Sequence, residues 1–285
     1  NANKAGNAVD RSAETILYPA SSSKTATDVF GVSGLTAFVI AIDANNVVID
    51  GIEIDGNNPN EIFNAEKAQT DASIGIANMS ANIARDPIYN QEISYSGIQI
   101  KNCVIANTDY AAIDMLSGAV SGITIPSNNV VSNNKIVDVL NLEGYGFGIS
   151  FFNFYANINN NVILNAHVGA QLNYNVLPAS DVNEVVFSNN TVEARKVGLF
   201  LNQNWNGGSV WNVANNSFTK VGDTWTTNTR AVLFNSITIP EVNFTNNTAN
   251  GFIYNAQNIY PTSPITLSTT SIVGDGIFSE GILFE

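Results

Sequence analysis

The feature that most constrains the fold is a short phrase that recurs along the chain. An apolar residue is followed, after one position, by a pair of asparagines, as in FSNNTV from Phe187, VANNSF from Val213 and FTNNTA from Phe244. Aligning the related stretches gives one column in which the first residue of the pair is glycine once (Gly51) and asparagine otherwise. These asparagines are Asn102, Asn133, Asn160, Asn189, Asn215 and Asn246. Most successive members of the column are roughly 26 to 31 residues apart.

The content of this column predicts a repeated backbone bend. Asparagine and glycine are the residues that best tolerate positive φ. Asparagine side chains stacked from one repeat to the next can also hydrogen-bond in a ladder. We therefore expect a structural ladder formed by the six asparagines of the column. Replacing Asn189 with alanine would then cost about 1 to 3 kcal/mol, because a buried amide would lose its partner.

A second phrase lies between the asparagine pairs. It reads GISFF from Gly148, GAQLN from Gly169, GLFLN from Gly198 and AVLFN from Ala231. Alternation places one set of apolar side chains on a single face, as in a half-buried strand. The residues on that face are Ile149, Phe151, Leu172, Leu199, Leu201, Val232 and Phe234. No helical period of 3.6 residues is sustained, so the pattern favours an all-β fold.

Repeats of this kind cannot bury an apolar face singly, so neighbouring repeats must stack to form a core. The two phrases together resemble the right-handed parallel β-helix of the pectin-lyase-like superfamily. The resemblance covers residues 36–258. It implies an all-β solenoid of about eight coils, with three strands in each coil, an asparagine ladder at a tight bend, and capped ends.

The segments outside the regular period set the expected domain organisation. Residues 1–35 are expected to form an N-terminal cap and lead-in strand, and residues 259–285 a C-terminal cap or a link to a further segment. The helix itself spans 36–258, with insertions at 55–72 and 80–95. Long loops in a compact domain are often functional.

The composition excludes several classes of function. The chain of 285 residues has 11 basic and 24 acidic residues, for a net charge of −13. Nucleic-acid binding is not expected, because phosphate contacts need clustered Lys and Arg. The single cysteine, Cys103, rules out an intrachain disulfide and is expected in the core. Membrane insertion is not expected either, because no apolar run reaches spanning length.

The outward positions of the second phrase are rich in amides and aromatic rings. Rings stack on sugars and amides hydrogen-bond their hydroxyl groups, so we expect a carbohydrate-binding strip here. The alternative is an ordinary solvated face. The candidate residues are Phe152, Tyr155, Gln171, Asn173, Tyr174, Phe200, Asn202, Gln203 and Trp205.

Ionisable residues precede the same strands, and they are the candidates for catalysis if the protein is an enzyme. Matching the phrases puts His167 and Lys196 at equivalent positions, so that a base and a cation would be adjacent. Arg195 and Asp114 complete this set. The alternative is a row of exposed turn residues. No cofactor is predicted; calcium could be held by acidic residues, although no dense acidic cluster and no other metal ligand set is found.

Polysaccharide-active members of the superfamily carry several signatures, and most are missing. NTD occurs at 107–109, but the chain has no Asp-Asp pair and its histidine sits in AHVGA. Catalytic roles therefore do not transfer. We expect a secreted or cell-surface module that binds a polysaccharide or another surface glycan, or has an adhesive or structural role, without catalysis. It could assemble as a homo-oligomer or a larger surface array. The alternative is a polysaccharide lyase or glycoside hydrolase.

Overall fold

The computed structural model describes residues 15–19, 38–59, 74–78, 95–116, 128–140, 146–174, 184–203, 210–223, 225–236 and 241–285. Within these ranges all regular structure is β, and none of it is a helix, so no helix there could cross a membrane. The strands are β1 (Ile16–Leu17), β2 (Phe38–Ile42), β3 (Val48–Asp50), β4 (Glu53–Asp55), β5 (Ile74–Asn78), β6 (Gln99–Lys101), β7 (Val104–Thr108), β8 (Ala111–Leu116), β9 (Val130–Ser132), β10 (Lys135–Val139), β11 (Phe147–Phe152), β12 (Asn157–Asn159), β13 (Val162–Tyr174), β14 (Glu184–Ser188), β15 (Thr191–Gln203), β16 (Val210–Ala214), β17 (Ser217–Lys220), β18 (Arg230–Ser236), β19 (Glu241–Thr245), β20 (Asn247–Asn250), β21 (Tyr254–Asn258), β22 (Ile265–Leu267), β23 (Ile272–Gly274), β24 (Ile277–Phe278) and β25 (Ile282–Phe284).

Long parallel sheets organise these strands, as the repeats predict. One sheet has seven strands in the order β3-β6-β9-β12-β14-β16-β19. A second has sixteen strands, in two columns that share the long strands β13 and β15. A short third sheet pairs β22 with β25. Each partner lies one repeat away, as where Ile158 pairs with Val131 on one side and Phe187 on the other.

The first column of asparagines forms the predicted bend. All six of its asparagines have φ between 54° and 58°, and Gly51 has φ of 71°. Their backbone N–H groups donate to carbonyls of the next repeat, for example Asn189 N to Ala214 O at 2.9 Å. The prediction of left-handed backbone at these positions is confirmed. The reason is that positive φ costs asparagine less free energy than it costs most other residues that carry a side chain.

The side-chain ladder runs one residue later than predicted. It joins the buried second asparagines of the pairs, which are Asn134, Asn161, Asn190, Asn216 and Asn247. Each amide nitrogen donates to the carbonyl oxygen of the next one at 2.9–3.1 Å. The first-column side chains point toward solvent and make scattered bonds, such as Asn246 Nδ2 to Asn215 Oδ1 at 3.3 Å. The ladder assignment to Asn102, Asn133, Asn160, Asn189, Asn215 and Asn246 is therefore wrong, because a residue at positive φ turns its side chain outward here.

The core lies between the sheets and is built from register columns of apolar side chains. Ile100, Val131, Ile158 and Phe187 form one column, with successive members paired. The predicted inward face of the second phrase is fully buried in the same core. Aromatic rings fill it toward the C-terminal repeats, where Phe187 stacks on Phe218 and Trp211 stacks on Phe234. Cys103, the single cysteine, is buried in this core, as expected.

Parallel pairing also reaches into both predicted end segments. β1, within 1–35, pairs with β4, and β23 and β24, within 259–285, extend the two columns of the large sheet. Most of the insertions at 55–72 and 80–95 lie outside the described residues.

Candidate functional site

The candidate site is the outward face of one column of the large sheet, formed by β8, β11, β13, β15 and β18. The register aligns two outward rows on these five strands. One row contains Asp114, Ser150, Gln171, Phe200 and Leu233. The row two residues further along contains Leu116, Phe152, Asn173, Asn202 and Asn235.

An apolar platform covers the middle of this face, separate from the main core. It consists of Ala111, Phe147, Val168 and Val197, with Tyr110, Phe200 and Leu233 packed against it. Tyr110 meets Phe147 edge to face, with ring centroids 5.4 Å apart. The four central side chains are buried, whereas Tyr110, Phe200 and Leu233 around them are half-buried and are the part of the cluster that a ligand can contact.

An amide row lies at the C-terminal end of the platform and consists of Asn173, Asn202 and Asn235. The three residues are paired in register on adjacent strands. Asn173 and Asn202 are each 8% exposed, and Asn235 is half-buried. All three Oδ1 atoms are buried and accept no hydrogen bond within the described part of the chain. The inner ladder uses the same residue type in the same register with every such oxygen bonded.

A pair of register shifts shapes the other end of the platform. Leu164 and Asn165 on β13 face the single residue Glu193, and His167 then faces both Arg195 and Lys196 on β15. The two irregularities cancel, so the strands return to register at Val168 and Val197. Bulges of this kind re-aim side chains and occur often beside functional sites.

A cationic patch results, formed by Arg195, Lys196 and Arg230. Arg195 Nε donates to Asn165 Oδ1 at 2.8 Å, and Lys196 Nζ lies 4.7 Å from the centroid of the Trp225 ring. Arg230 on β18 pairs with Val197 on β15, and its side chain donates to the Gln257 side chain and to the Asn228 carbonyl. None of the three pairs with a carboxylate of the described residues.

The electrostatics of the patch are those of crowded, partly desolvated cations. Burial and then the charge of Arg230 lower the pKa of Lys196, and burial lowers that of Arg230. His167 is 5% exposed, and its Nδ1 is buried with no partner among the described residues. Its pKa is lowered to about 4, first by burial and then by Arg195 and Lys196. The imidazole is therefore neutral at neutral pH.

The structure brings together some of the predicted site residues and separates others. His167, Lys196 and Arg195 meet at the bulge, whereas Asp114 lies two strands and four residues away, on the order of 15 Å. Asp114 is also only 1% exposed.

Among the sugar-binding candidates, Gln171, Asn173, Phe200, Asn202 and Phe152 occupy the outward rows. Tyr155 does not: it is 5% exposed and packs in the main core, so its assignment to the strip is wrong. The chain bends after β11 at Asn153, whose φ is 51°, and this turns Tyr155 inward. Tyr174 and Gln203 pair in the sheet, and Trp205 lies outside the described residues.

Sequence reasoning missed Arg230, Trp225 and a second bend column. Asn107, Asp138 and Asn165 have φ of 55° to 57°, and each lies five residues after a first-column asparagine. That spacing was a readable signal. Trp225 lies between the repeated phrases, so no period marked it. Within the described ranges, no group of three or more His, Cys, Asp or Glu could hold a metal ion.

Comparison with known proteins gives no relative on which to rest a function: no protein family, no curated protein and no solved structure matches the chain significantly. The function must therefore be argued from the site itself.

Proposed function

We propose that the chain is a right-handed parallel β-helix of about eight coils, similar in architecture to the pectin-lyase-like superfamily. The support is the regular stacking of parallel strands one repeat apart, with the asparagine ladder at a constant corner. Crossover connections between parallel strands of one sheet are right-handed in nearly all proteins.

We further propose that this β-helix is a non-catalytic module, secreted or at the cell surface, that binds a polysaccharide along the outward face of β8, β11, β13, β15 and β18. The observation that carries the proposal is the amide row. Three aligned carbonyl oxygens have no hydrogen-bond donor among the described residues, and each buried oxygen left in this state costs about 1 to 3 kcal/mol. Hydroxyl groups of a sugar chain would supply these donors.

The geometry of the row suits a repeating ligand. Neighbouring parallel strands are about 4.8 Å apart, so the row offers the same group at regular intervals across the strands. Rotation about χ2, which is a soft torsion in asparagine, would turn each oxygen outward. Phe200, which packs against the apolar platform, and Phe152, which pairs with Asn173, are half-buried and supply ring faces for contact with the apolar face of a sugar.

A second candidate function, polysaccharide lyase or glycoside hydrolase activity, is favoured by one observation. His167 is a neutral base opposite the two cations Arg195 and Lys196, as proton abstraction beside an anionic group would need. It ranks second for two reasons. A pKa of about 4 makes His167 a weak base, and Asp114 is too distant to act with it.

The test is a panel of neutral and acidic polysaccharides, examined by affinity electrophoresis for retention and by reducing ends and unsaturated products for turnover. We expect retention without turnover. Replacing Asn173 and Asn202 together with alanine should weaken retention about tenfold or more. The matched control is Asn212 and Asn243, an exposed amide pair in register on the seven-stranded sheet whose side chains already bond each other at 3.0 Å.

Equal loss of retention in both double variants would contradict the proposed location. Turnover that disappears in a His167→Gln variant would replace the binding function with the enzymatic one.

A further inference from the structure

The cationic patch stands out in a chain whose net charge is −13. Three of the 11 basic residues converge on one end of the platform without a carboxylate partner among the described residues. Burial, and then the charge of Arg230, lowers the pKa of Lys196, so holding these cations together in a partly desolvated patch raises the free energy of the folded chain. An arrangement that costs free energy in the free protein is relieved by a bound anion.

The contacts within the patch hold the cations in place while leaving donors unused. Arg195 uses its Nε on Asn165, and Arg230 uses two of its nitrogens on Gln257 and Asn228. A guanidinium has five N–H donors, so among the described residues both arginines have donors that these contacts do not use. Lys196 contacts the Trp225 ring with its charge, which orients the ammonium group without consuming its three N–H donors.

His167 gives a second, independent indication that the patch receives a ligand. It is 95% buried, at the bulge that presents Arg195 and Lys196, and its Nδ1 has no partner in the described part of the chain. Buried polar atoms in folded proteins nearly always have a partner. An oxygen atom held by the adjacent cations could accept a hydrogen bond from this imidazole when Nδ1 carries the proton.

We propose that Lys196, Arg230 and Arg195, together with His167, form an oxyanion-binding site that holds the carboxylate or sulfate group of an acidic glycan. The site lies in the same outward face as the amide row, five to seven residues along the strands, or about 16 to 23 Å away. Its selection of an acidic glycan rests on the proposed function, whereas binding of the oxyanion itself does not. A chain bound across the platform would place an acidic unit at the patch and a hydroxyl-rich unit at the amides.

The binding experiment uses matched neutral and anionic polymers. Dextran is compared with carboxymethyl and sulfated dextran, and hydroxyethyl cellulose with carboxymethyl cellulose, by affinity electrophoresis at two salt concentrations. We expect the anionic member of a pair to bind more tightly. Lys196→Gln and Arg230→Gln should each reduce that binding about tenfold, because each removes charge-assisted hydrogen bonds. Lys135→Gln, a basic residue on another strand column, is the control and should leave binding unchanged.

The small-anion experiment uses the lone histidine as a reporter. NMR titration of the imidazole of His167 is recorded with and without inorganic sulfate or acetate. Burial, and then the charges of Arg195 and Lys196, lowers the pKa of His167; a bound oxyanion offsets the two charges, so the pKa should rise when the site is filled. Carboxymethyl against sulfated dextran, and acetate against sulfate, decide which group the site prefers.

Each outcome separates the two proposals. Equal binding of neutral and anionic polymers, unaffected by Lys196→Gln and Arg230→Gln, would overturn the oxyanion site and leave the amide row standing. A rise in the His167 pKa with sulfate, but no binding of any anionic polymer, would overturn the assignment to a glycan. No response to either small anion together with no effect of the variants would overturn the site itself.

Discussion

Replacing Asn190 with alanine should destabilise the fold far more than replacing its neighbour Asn189. The Asn190 side chain is 1% exposed and makes four hydrogen bonds. Its oxygen accepts from Asn161 N at 2.9 Å and Asn161 Nδ2 at 3.0 Å. Its nitrogen donates to Ile158 O at 3.2 Å and Asn216 Oδ1 at 3.1 Å.

The magnitude follows from the groups left without a partner. In Asn190→Ala, the backbone N–H of Asn161 and the carbonyl of Ile158 lose the side-chain bonds described, and the amide of Asn161 loses one of its two. At about 1 to 3 kcal/mol for each buried group, and allowing for partial rescue by water, the loss is about 3 to 6 kcal/mol. Asn189 is exposed and its role is the positive φ of 55°. Asn189→Ala should therefore cost only about 1 to 2 kcal/mol, and Asn189→Gly less.

Urea denaturation followed by far-ultraviolet circular dichroism measures both variants against the parent. Because repeat proteins can lose two-state behaviour, the m-value is compared along with the midpoint. If Asn190→Ala does not fold, Asn190→Ser replaces it in the comparison, because serine keeps one small hydrogen-bonding group. Asn190→Ser should be less stable than both the parent and Asn189→Ala. An Asn189→Ala variant that is as unstable as Asn190→Ala or Asn190→Ser would refute the inner ladder.

Two further predictions concern the outward face and the packing beneath it. The unfolded chain binds a proton on His167 near pH 6.5, whereas the folded chain binds it only near pH 4. The free energy of unfolding should therefore fall by roughly 3 kcal/mol as the pH is lowered from 6.5 to 4, with no loss from this group above pH 6.5. A stability profile that His167→Asn leaves unchanged between pH 6.5 and 4 would contradict the shift. Gly169→Ala should cost about 1 to 3 kcal/mol or more, because its Cβ would lie 2.2 Å from Val192 Cγ1 and 2.4 Å from Gly198 O; a melting temperature equal to that of the parent would show that this contact relaxes freely.

The strand register predicted from the sequence agrees closely with the structure, whereas the predicted ladder lies one residue before the observed one. Repeated phrases determine which residues pair, so the sequence alone aligns Gln171, Phe200 and Leu233. The ladder was misplaced because its column begins with Ile52 and Cys103, which disguise a position that only later repeats fill with asparagine. The first asparagine of each pair has the left-handed backbone, and the second has the buried side chain that forms the ladder.

The candidate site was less predictable because its geometry depends on local departures from the repeat. His167 and Lys196 occupy matching places in the phrases, yet two compensating register shifts set His167 opposite both Arg195 and Lys196. Equal spacing on the two strands conceals such a pair of bulges. Trp225 and Arg230 complete the patch from a connection outside the phrases and from the next strand, and only the fold brings them to it.

The most direct test of glycan binding on this face is NMR mapping of the side-chain amides of asparagine during titration with a retained polysaccharide. The account predicts that Asn173, Asn202 and Asn235 shift while the inner ladder and the Asn212–Asn243 pair stay unchanged. Shifts confined to Asn212 and Asn243, with the amide row unaffected, would contradict it.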